Sequence, residues 1–272
     1  MSCPDCFKGG LLPGEPTGVS VTGKLQNAYF APSPSGGSSN PSKRAVLLFT
    51  DVCGLGYSNP KIIADMLAQR LDCDVWIPDY FNGNPIFKPE SLAAPLPAGI
   101  KLTWGDWWKF GTMLLSRAFV LYRNRPSVVL KRLHEFIPAL LQEKKYEKVG
   151  AVGYCFGGAQ CVFIAPSGLV HSLVICHPGP FGLDEGKAIN IPTSWVCAED
   201  DSFFNESKRN QAEAIFAARK DKSDYVPYEF VLYKGVKHGF ACRPDLSYPI
   251  IKEAYEKSLE QTVAWFEKTL SV

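Results

Sequence analysis

The chain has 272 residues, 46% of them hydrophobic, and its 29 basic and 27 acidic residues leave a formal net charge of +2. This size can bury a full core, and the mixed charges give no basic surface for nucleic acid. No stretch approaches the about 18 apolar residues of a membrane span, and Met1 to Gly10 lack the pattern of a secretory signal. We therefore expect a cytoplasmic protein that acts on a small molecule, with no nucleic-acid or membrane partner.

The predicted elements alternate along the chain in the manner of an α/β protein. Residues 1–18 are rich in Gly and Pro and predict an arm, and residues 19–272 predict one domain. Strands are predicted at two short segments within 19–30 and at 45–49, 73–77, 148–152, 171–176, 194–198 and 228–233. Helices are predicted at 61–71, 127–142, 155–165, 206–219 and 248–269. Short buried runs between amphipathic stretches indicate a mostly parallel central sheet with helices on both faces.

The alternation lapses between about residues 82 and 125. This segment is Pro-rich at first and then contains Trp104-Gly105-Asp106-Trp107-Trp108. We interpret it as a cap-like helical insertion. It either covers a site or packs an extra helix onto the core, and the two interpretations are compatible.

The chain contains nine cysteines, an odd number, and several lie in strand-like runs such as Leu173-Val174-Ile175-Cys176. This usage favours reduced thiols in the core over a disulfide framework. Cys3 and Cys6 could begin a zinc or redox site, but no second cysteine pair or nearby histidine completes it. The sequence therefore predicts no metal and no cofactor.

The strongest chemical motif is Gly153-Tyr154-Cys155-Phe156-Gly157-Gly158, between a predicted buried strand and a predicted helix. In a Gly-x-nucleophile-x-Gly elbow the turn is so tight that both flanking positions require glycine. The central side chain then lies at a helix N-terminus, where the dipole and unpaired N–H groups favour a thiolate. Cys155 is thus the candidate nucleophile. The alternative is a core cysteine beside glycines that pack the helix.

A cysteine nucleophile needs a base and a group that orients it, and the chain has four histidines. We expect His134 and His171 to be structural, whereas His177 follows a strand end and could approach the site. His238 is the best candidate for the base, because it comes just after the last predicted strand. Glu199, Asp200 and Asp201 follow the preceding strand. The order nucleophile, acid, base is that of α/β-hydrolases, but spacing alone does not select one carboxylate.

These motifs together resemble the dienelactone hydrolase family, and the resemblance extends from about residue 25 to the end of the chain. It rests on five segments: Gly153-Tyr154-Cys155-Phe156-Gly157-Gly158, Glu199-Asp200-Asp201, His238-Gly239-Phe240, Phe49-Thr50-Asp51-Val52-Cys53-Gly54 and Val75-Trp76-Ile77-Pro78-Asp79-Tyr80-Phe81. The Asp51-Val52-x-Gly54 pattern and the N-terminal Cys-x-x-Cys are similar to eukaryotic, especially fungal, members. The resemblance implies an α/β-hydrolase fold.

The resemblance also assigns residues to roles. It aligns Asp201 with the triad acid, with Asp200 as the alternative, because Phe203 and Phe204 occupy the family's following apolar pair. It implies an oxyanion hole formed by the backbone N–H groups of Val52 and Phe156.

Two positions depart from the bacterial members of the family. Bacterial members carry a glutamate at the position of Asp51, where it pairs with the resting nucleophile. The shorter Asp51 is therefore either a poising group or a structural one. Bacterial members also hold a substrate carboxylate with arginines. Arg243 stands one residue from one of these positions, and no arginine lies near Phe81, which weakens the case for an anionic dienelactone.

The sequence thus favours a hydrolase that cleaves a carboxylic ester or lactone through a Cys155–His238–Asp201 triad and a thioester acyl-enzyme. One alternative is a non-catalytic relative of the same fold that binds a small ligand or a partner. Another is an acyltransferase that uses the same triad. The oligomeric state and the physiological substrate stay open.

Overall fold

The structure, a computed structural model, describes residues 10–23, 25, 27–37, 41–88 and 103–271. Its sheet has the strand order β1-β2-β4-β3-β5-β6-β7-β8. The strands are β1 (Val19–Ser20), β2 (Tyr29–Ala31), β3 (Arg44–Phe49), β4 (Asp74–Ile77), β5 (Lys148–Tyr154), β6 (Ser172–Cys176), β7 (Thr193–Asp200) and β8 (Tyr228–Lys237). The two pairings at the β1 edge are antiparallel, and β4-β3-β5-β6-β7-β8 are parallel. The predicted α/β class and mostly parallel sheet are confirmed.

The helices cover both faces of this sheet. They are α1 (Asn59–Leu71), α2 (Trp104–Ser116), α3 (Ala118–Arg123), α4 (Pro126–Lys144), α5 (Phe156–Ile164), α6 (Leu183–Lys187), α7 (Glu206–Ala217) and α8 (Pro249–Thr269). Alternate side chains of the central strand β3 enter different cores. Leu47 packs in the core beneath α4, α5 and α7, and Leu48 packs in the core beneath α1 and α8. Both faces of β3 are therefore buried, as expected for a parallel strand between two helical layers.

Local signals account for several helix boundaries. α1 and α4 carry proline in their first turn, where its missing N–H costs no helical hydrogen bond. Asn205 caps α7 by accepting a hydrogen bond from the N–H of Lys208 at 3.0 Å. The sequence prediction placed the end of β8 too early, at residue 233, and it missed the short helix α6.

The described part of the predicted insertion contains α2 and α3, which supports its helical character, while residues 89–102 lie outside the described residues. Residues 1–9 of the predicted arm, including Cys3 and Cys6, also lie outside them. Asn59 anchors the described end of the arm. This buried side chain accepts a hydrogen bond from the N–H of Leu12 and donates one to the carbonyl of Gly10, both at 2.9 Å. The division into arm, domain and insertion stays a prediction.

Four cysteines of the described chain, Cys73, Cys161, Cys176 and Cys197, are buried thiols, as the sequence predicts. Burial raises the pKa of each of them, so they remain protonated at neutral pH. Among the described residues, no helix is long and apolar enough to cross a membrane.

Candidate active site

Cys155 lies on a sharp turn between β5 and α5, with φ of 54° and ψ of −112°. A side chain on Gly153 would overlap the backbone of Gly157, and one on Gly157 would overlap the carbonyl of Phe49 in the neighbouring strand. Both glycines are thus required by close backbone approach. The turn is fixed further by a hydrogen bond from the N–H of Cys155 to the carbonyl of Cys176 at 3.1 Å. The local geometry is that of the predicted nucleophile elbow.

His238 and Asp201 form a buried pair at the carboxyl edge of the sheet. The His238 Nδ1 lies 2.9 Å from the Asp201 Oδ2, and the two side chains are 0% and 1% exposed. The other oxygen, Oδ1, accepts hydrogen bonds from the N–H groups of Phe203 at 2.9 Å and Phe204 at 3.0 Å. Burial raises the pKa of Asp201, but the charge of His238 and these hydrogen bonds outweigh it and hold the pKa below its ordinary value. Asp201 is therefore a carboxylate that accepts from the Nδ1–H of His238.

The two neighbouring carboxylates have other partners. Asp200 is 46% exposed and pairs with Lys237 at 3.4 Å, and its backbone carbonyl accepts from the N–H of His238 at 3.1 Å. Glu199 accepts from the N–H of Gly235 at 2.7 Å. Of the three acidic side chains that the sequence left open, it is Asp201 that contacts the imidazole.

The imidazole of His238 packs against two rings. The His177 ring lies with its centroid 5.0 Å away at 60°, and the Phe203 ring lies 5.5 Å away at 75°. His177 directly follows Cys176, whose carbonyl holds the N–H of Cys155. Phe203 lines the same cavity as Cys155. These contacts connect the predicted nucleophile and the predicted base at one edge of the sheet.

His177 is fully buried, and neither of its ring nitrogens has a hydrogen-bond partner among the described residues. Burial, and next the charge of His238, lower its pKa to about 3, with Asp201 acting in the opposite direction. Its φ of 33° is unusual for a residue other than glycine. His177 is therefore a neutral imidazole held against His238. The sequence indicated only that it could approach the site.

A cavity of about 350 Å³ opens above Cys155. Val52 and Phe156, the predicted oxyanion residues, line it together with Cys155. The insertion helices also form part of its wall, through Leu114 of α2 and Leu121 of α3. These wall residues could not be singled out from the sequence, because an apolar position in a helix has the same pattern whether it faces a core or a cavity.

Asp51 and Arg243 pair with each other. The Arg243 Nε lies 2.8 Å from the Asp51 Oδ2, and both side chains are 0% exposed. Asp51 also accepts from the N–H of Cys53 at 2.9 Å and from the hydroxyl of Tyr57 at 3.0 Å. Burial lowers the pKa of Arg243, but the charge of Asp51 outweighs it and raises that pKa well above its ordinary value. These contacts favour the structural interpretation of Asp51, and they occupy the guanidinium that the resemblance associated with a substrate carboxylate.

The sequence is similar to named proteins from fungi and mammals over nearly its whole length. "Hydrolase pyvD" of Aspergillus violaceofuscus is 29% identical over 265 residues, covering 97% of this chain and 96% of that protein. "Hydrolase tropI" of Talaromyces stipitatus is also 29% identical, covering 98% and 96%. A mouse "carboxymethylenebutenolidase homolog" is 25% identical, with the same coverage of 98% and 96%.

Solved structures share the fold. A dienelactone hydrolase from Anabaena variabilis superposes with a TM-score of 0.55 at 15% identity, covering 93% of this chain and 97% of that one. A dienelactone hydrolase-like promiscuous phosphotriesterase from metagenomic libraries gives a TM-score of 0.59 at 18% identity, covering 89% and 92%. The chain thus has the α/β-hydrolase fold that the resemblance implied.

The family profile described as "Dienelactone hydrolase family" matches residues 34–270, which is most of the chain. The resemblance stated on the sequence motifs is thereby confirmed, and so is the expectation of an enzyme that hydrolyses esters or lactones. On this evidence the chain belongs to the dienelactone hydrolase family.

Proposed function

We propose that the protein hydrolyses a carboxylic ester or lactone with Cys155 as nucleophile, His238 as general base and acid, and Asp201 as the group that orients His238. The observation that carries the proposal is the joint arrangement of Cys155 on a strained turn at a cavity and the buried His238–Asp201 pair, whose imidazole packs against Phe203 of the same cavity. Neither feature alone would suffice, because a tight turn or a buried ion pair also occurs for structural reasons.

The first half-reaction forms a thioester. Because the Nδ1–H of His238 donates to Asp201, the Nε2 carries the lone pair that takes the proton of the Cys155 thiol. The sulfur adds to the ester carbonyl, and the carbonyl oxygen becomes an alkoxide. The carbon–oxygen bond of the ester then breaks, and His238 returns the proton to the leaving alkoxide.

The N–H groups of Val52 and Phe156 are the proposed donors to the alkoxide. Phe156 begins α5, so its N–H belongs to the positive end of the helix dipole. One such donor is worth about 3 kcal/mol in the transition state of other acyl-transfer enzymes. The two donors together therefore supply a large share of the stabilisation in this proposal.

The second half-reaction releases the acid. His238 takes a proton from a water molecule, and the resulting hydroxide adds to the thioester carbon. The carbon–sulfur bond breaks, the acid leaves, and the Cys155 sulfur recovers its proton from His238. Asp201 keeps the same tautomer of His238 through both halves.

The test is hydrolysis of an activated aryl ester by Cys155→Ala. We expect kcat/KM to fall by about 10³-fold or more, as when a triad member is removed elsewhere. Acid quenching of the unmodified protein during turnover should leave the acyl mass on the peptide that contains Cys155. Hydrolysis by Cys155→Ala near the parent rate would contradict the proposal.

Cys161→Ala is the matched control. Cys161 is buried in α5 and its Sγ lies close to Gly153, so replacement by the smaller alanine removes a second thiol without adding a clash at the elbow. We expect Cys161→Ala to lose some stability and to keep kcat/KM within about threefold of the parent value.

A further inference from the structure

The cavity above Cys155 is small and mainly apolar. Its volume of about 350 Å³ lies near the lower end of the roughly 300–1,000 Å³ range of ligand sites. Its lining comes from two parts of the chain. Phe203 and Pro180 belong to the loops after β7 and β6, whereas Leu114 and Leu121 belong to the insertion helices.

The polar group on the insertion side is already engaged by the protein. Asn124 lines the cavity but is 3% exposed. Its Nδ2 donates to the carbonyl of Asn84 at 2.9 Å, and its Oδ1 accepts from the Nη1 of Arg132 at 2.8 Å. The Asn124 amide therefore closes the wall, and a ligand that used it would have to displace one of these bonds.

The charged group on the wall is also engaged. Among the described residues that line the cavity, Arg125 carries the formal charge, and it lies at the exposed rim. Its Nη1 donates to the carbonyl of Tyr122 at 2.8 Å, and its guanidinium lies 4.4 Å from the centre of the Tyr122 ring. The Arg125 charge is thus held at the surface beside an aromatic ring.

Two other arginines of this region are held by protein oxygens. Arg117 donates to the carbonyls of Ile86 at 3.1 Å and Pro85 at 2.6 Å. Arg243 pairs with Asp51 in full burial. The described arginines around the catalytic edge therefore bind the chain itself.

A carboxylate that packs against Leu114, Leu121 and Phe203 would lose its hydration, and these three side chains offer it no charged partner in return. An apolar group in the same place is instead stabilised, because its surface is removed from water. We propose that the substrate is a neutral ester or lactone whose acyl part is apolar, an aromatic ring or short aliphatic chain that packs against Leu114 and Leu121. This inference rests on the proposed function, because it takes Cys155 as the point where the carbonyl reacts.

The test compares two esters of equal shape and different charge. The 4-nitrophenyl ester of 6-methylheptanoic acid and the 4-nitrophenyl half-ester of adipic acid share a leaving group and chain length. They differ in an isopropyl group against a carboxylate at the end of the acyl chain. We expect kcat/KM for the neutral ester to exceed that for the half-ester by about tenfold or more, because the carboxylate loses hydration in the cavity.

A charge introduced into the wall should weaken this preference. Leu121→Arg places a cation on the insertion side of the cavity. We expect the ratio of kcat/KM for the half-ester to kcat/KM for the neutral ester to rise about tenfold or more. Leu115→Arg is the matched control, because Leu115 lies in the same insertion and is 81% exposed. That variant should leave the ratio within about twofold of the parent value.

Equal or faster hydrolysis of the half-ester by the parent protein would overturn the proposed substrate class while leaving the hydrolase proposal standing. If neither ester is hydrolysed, the substrate class is tested by measuring the dissociation constants of 6-methylheptanamide and adipamic acid by calorimetry. At least about tenfold tighter binding of the neutral amide would support the apolar class and count against the hydrolase proposal. Equal binding, weaker binding of the neutral amide, or binding of neither would overturn the substrate class.

Discussion

His177 should make the stability of this protein depend on pH between about 6.5 and 3. The folded protein holds His177 with a pKa of about 3, against an ordinary value of 6.5 in the unfolded chain. The unfolded chain therefore binds more protons in this interval, and the free energy of unfolding falls as the pH falls. His238, Asp201 and Arg243 are the ionisable groups that act on His177, and Asp201 opposes the other two.

The magnitude follows from the two pKa values. Each pH unit below the unfolded pKa costs about 1.4 kcal/mol while the folded pKa is still lower. Between about pH 6.5 and pH 5 the contribution of His177 is therefore a loss of about 2 kcal/mol. This is a large share of the about 5–15 kcal/mol by which a typical domain is stable.

The assay is urea unfolding at pH 8, 7, 6 and 5, followed by tryptophan fluorescence, for the parent and His177→Asn. Asparagine does not titrate, and it tolerates positive φ better than most residues. Between pH 8 and pH 5 we expect the free energy of unfolding of the variant to rise by about 2 kcal/mol relative to that of the parent. His177→Phe, which keeps a ring beside His238, should show the same gain if His177→Asn folds poorly.

His134→Gln is the control, because His134 is exposed on α4. Its unfolding free energy should follow the parent curve at every pH. The reasoning would be refuted if the free energy of unfolding of both His177 variants differed from that of the parent by a constant amount from pH 8 to pH 5. His177 would then bind a proton equally well in the folded and unfolded chain.

Four further substitutions test the site. Arg243→Met should lower the free energy of unfolding by about 3–5 kcal/mol, because it leaves the Asp51 charge buried without its cation. Urea unfolding measures this change, and a loss below about 1 kcal/mol would contradict the buried pair. Asp201→Asn should lower kcat for an aryl ester by about 10³–10⁴-fold. Asp200→Asn, at a half-exposed carboxylate, should keep kcat within about threefold of the parent value. A larger loss of kcat in Asp200→Asn than in Asp201→Asn would assign the role of the acid to Asp200. Gly157→Ala should abolish activity, because its methyl group would overlap a backbone carbonyl of the neighbouring strand. Circular dichroism distinguishes a local change at the elbow from loss of the whole fold. Full activity of the variant would count against the tight turn.

The elements that the sequence predicted well are those whose signals are local. The parallel strands are short buried runs, and burial on both faces makes them apolar throughout. The elbow at Cys155 could also be predicted, because the requirement for Gly153 and Gly157 arises within a few residues of the turn. The sequence was less accurate where signals are weak, as at the end of β8 and for the short helix α6.

The partner of His238 depended on the course of the chain at the end of β7. The pairing of β7 with β8 has an irregular register between Ala198 and Asp200. Asp200 then faces Lys237, and Asp201 turns inward to the imidazole. Consecutive carboxylates look equivalent in a sequence, and a shift of one residue decides which of them is buried.

By itself the sequence determined the family, the α/β class, and the positions of Cys155 and His238 after their strands, because short-range sterics and hydrophobic patterning encode these features. Only the tertiary structure decided that Asp51 pairs with Arg243, that His177 is buried against His238, and that Leu114 and Leu121 wall the cavity. Each of these joins residues far apart along the chain. Such a contact depends on how the sheet, its loops and the insertion pack together, and no local pattern records that packing.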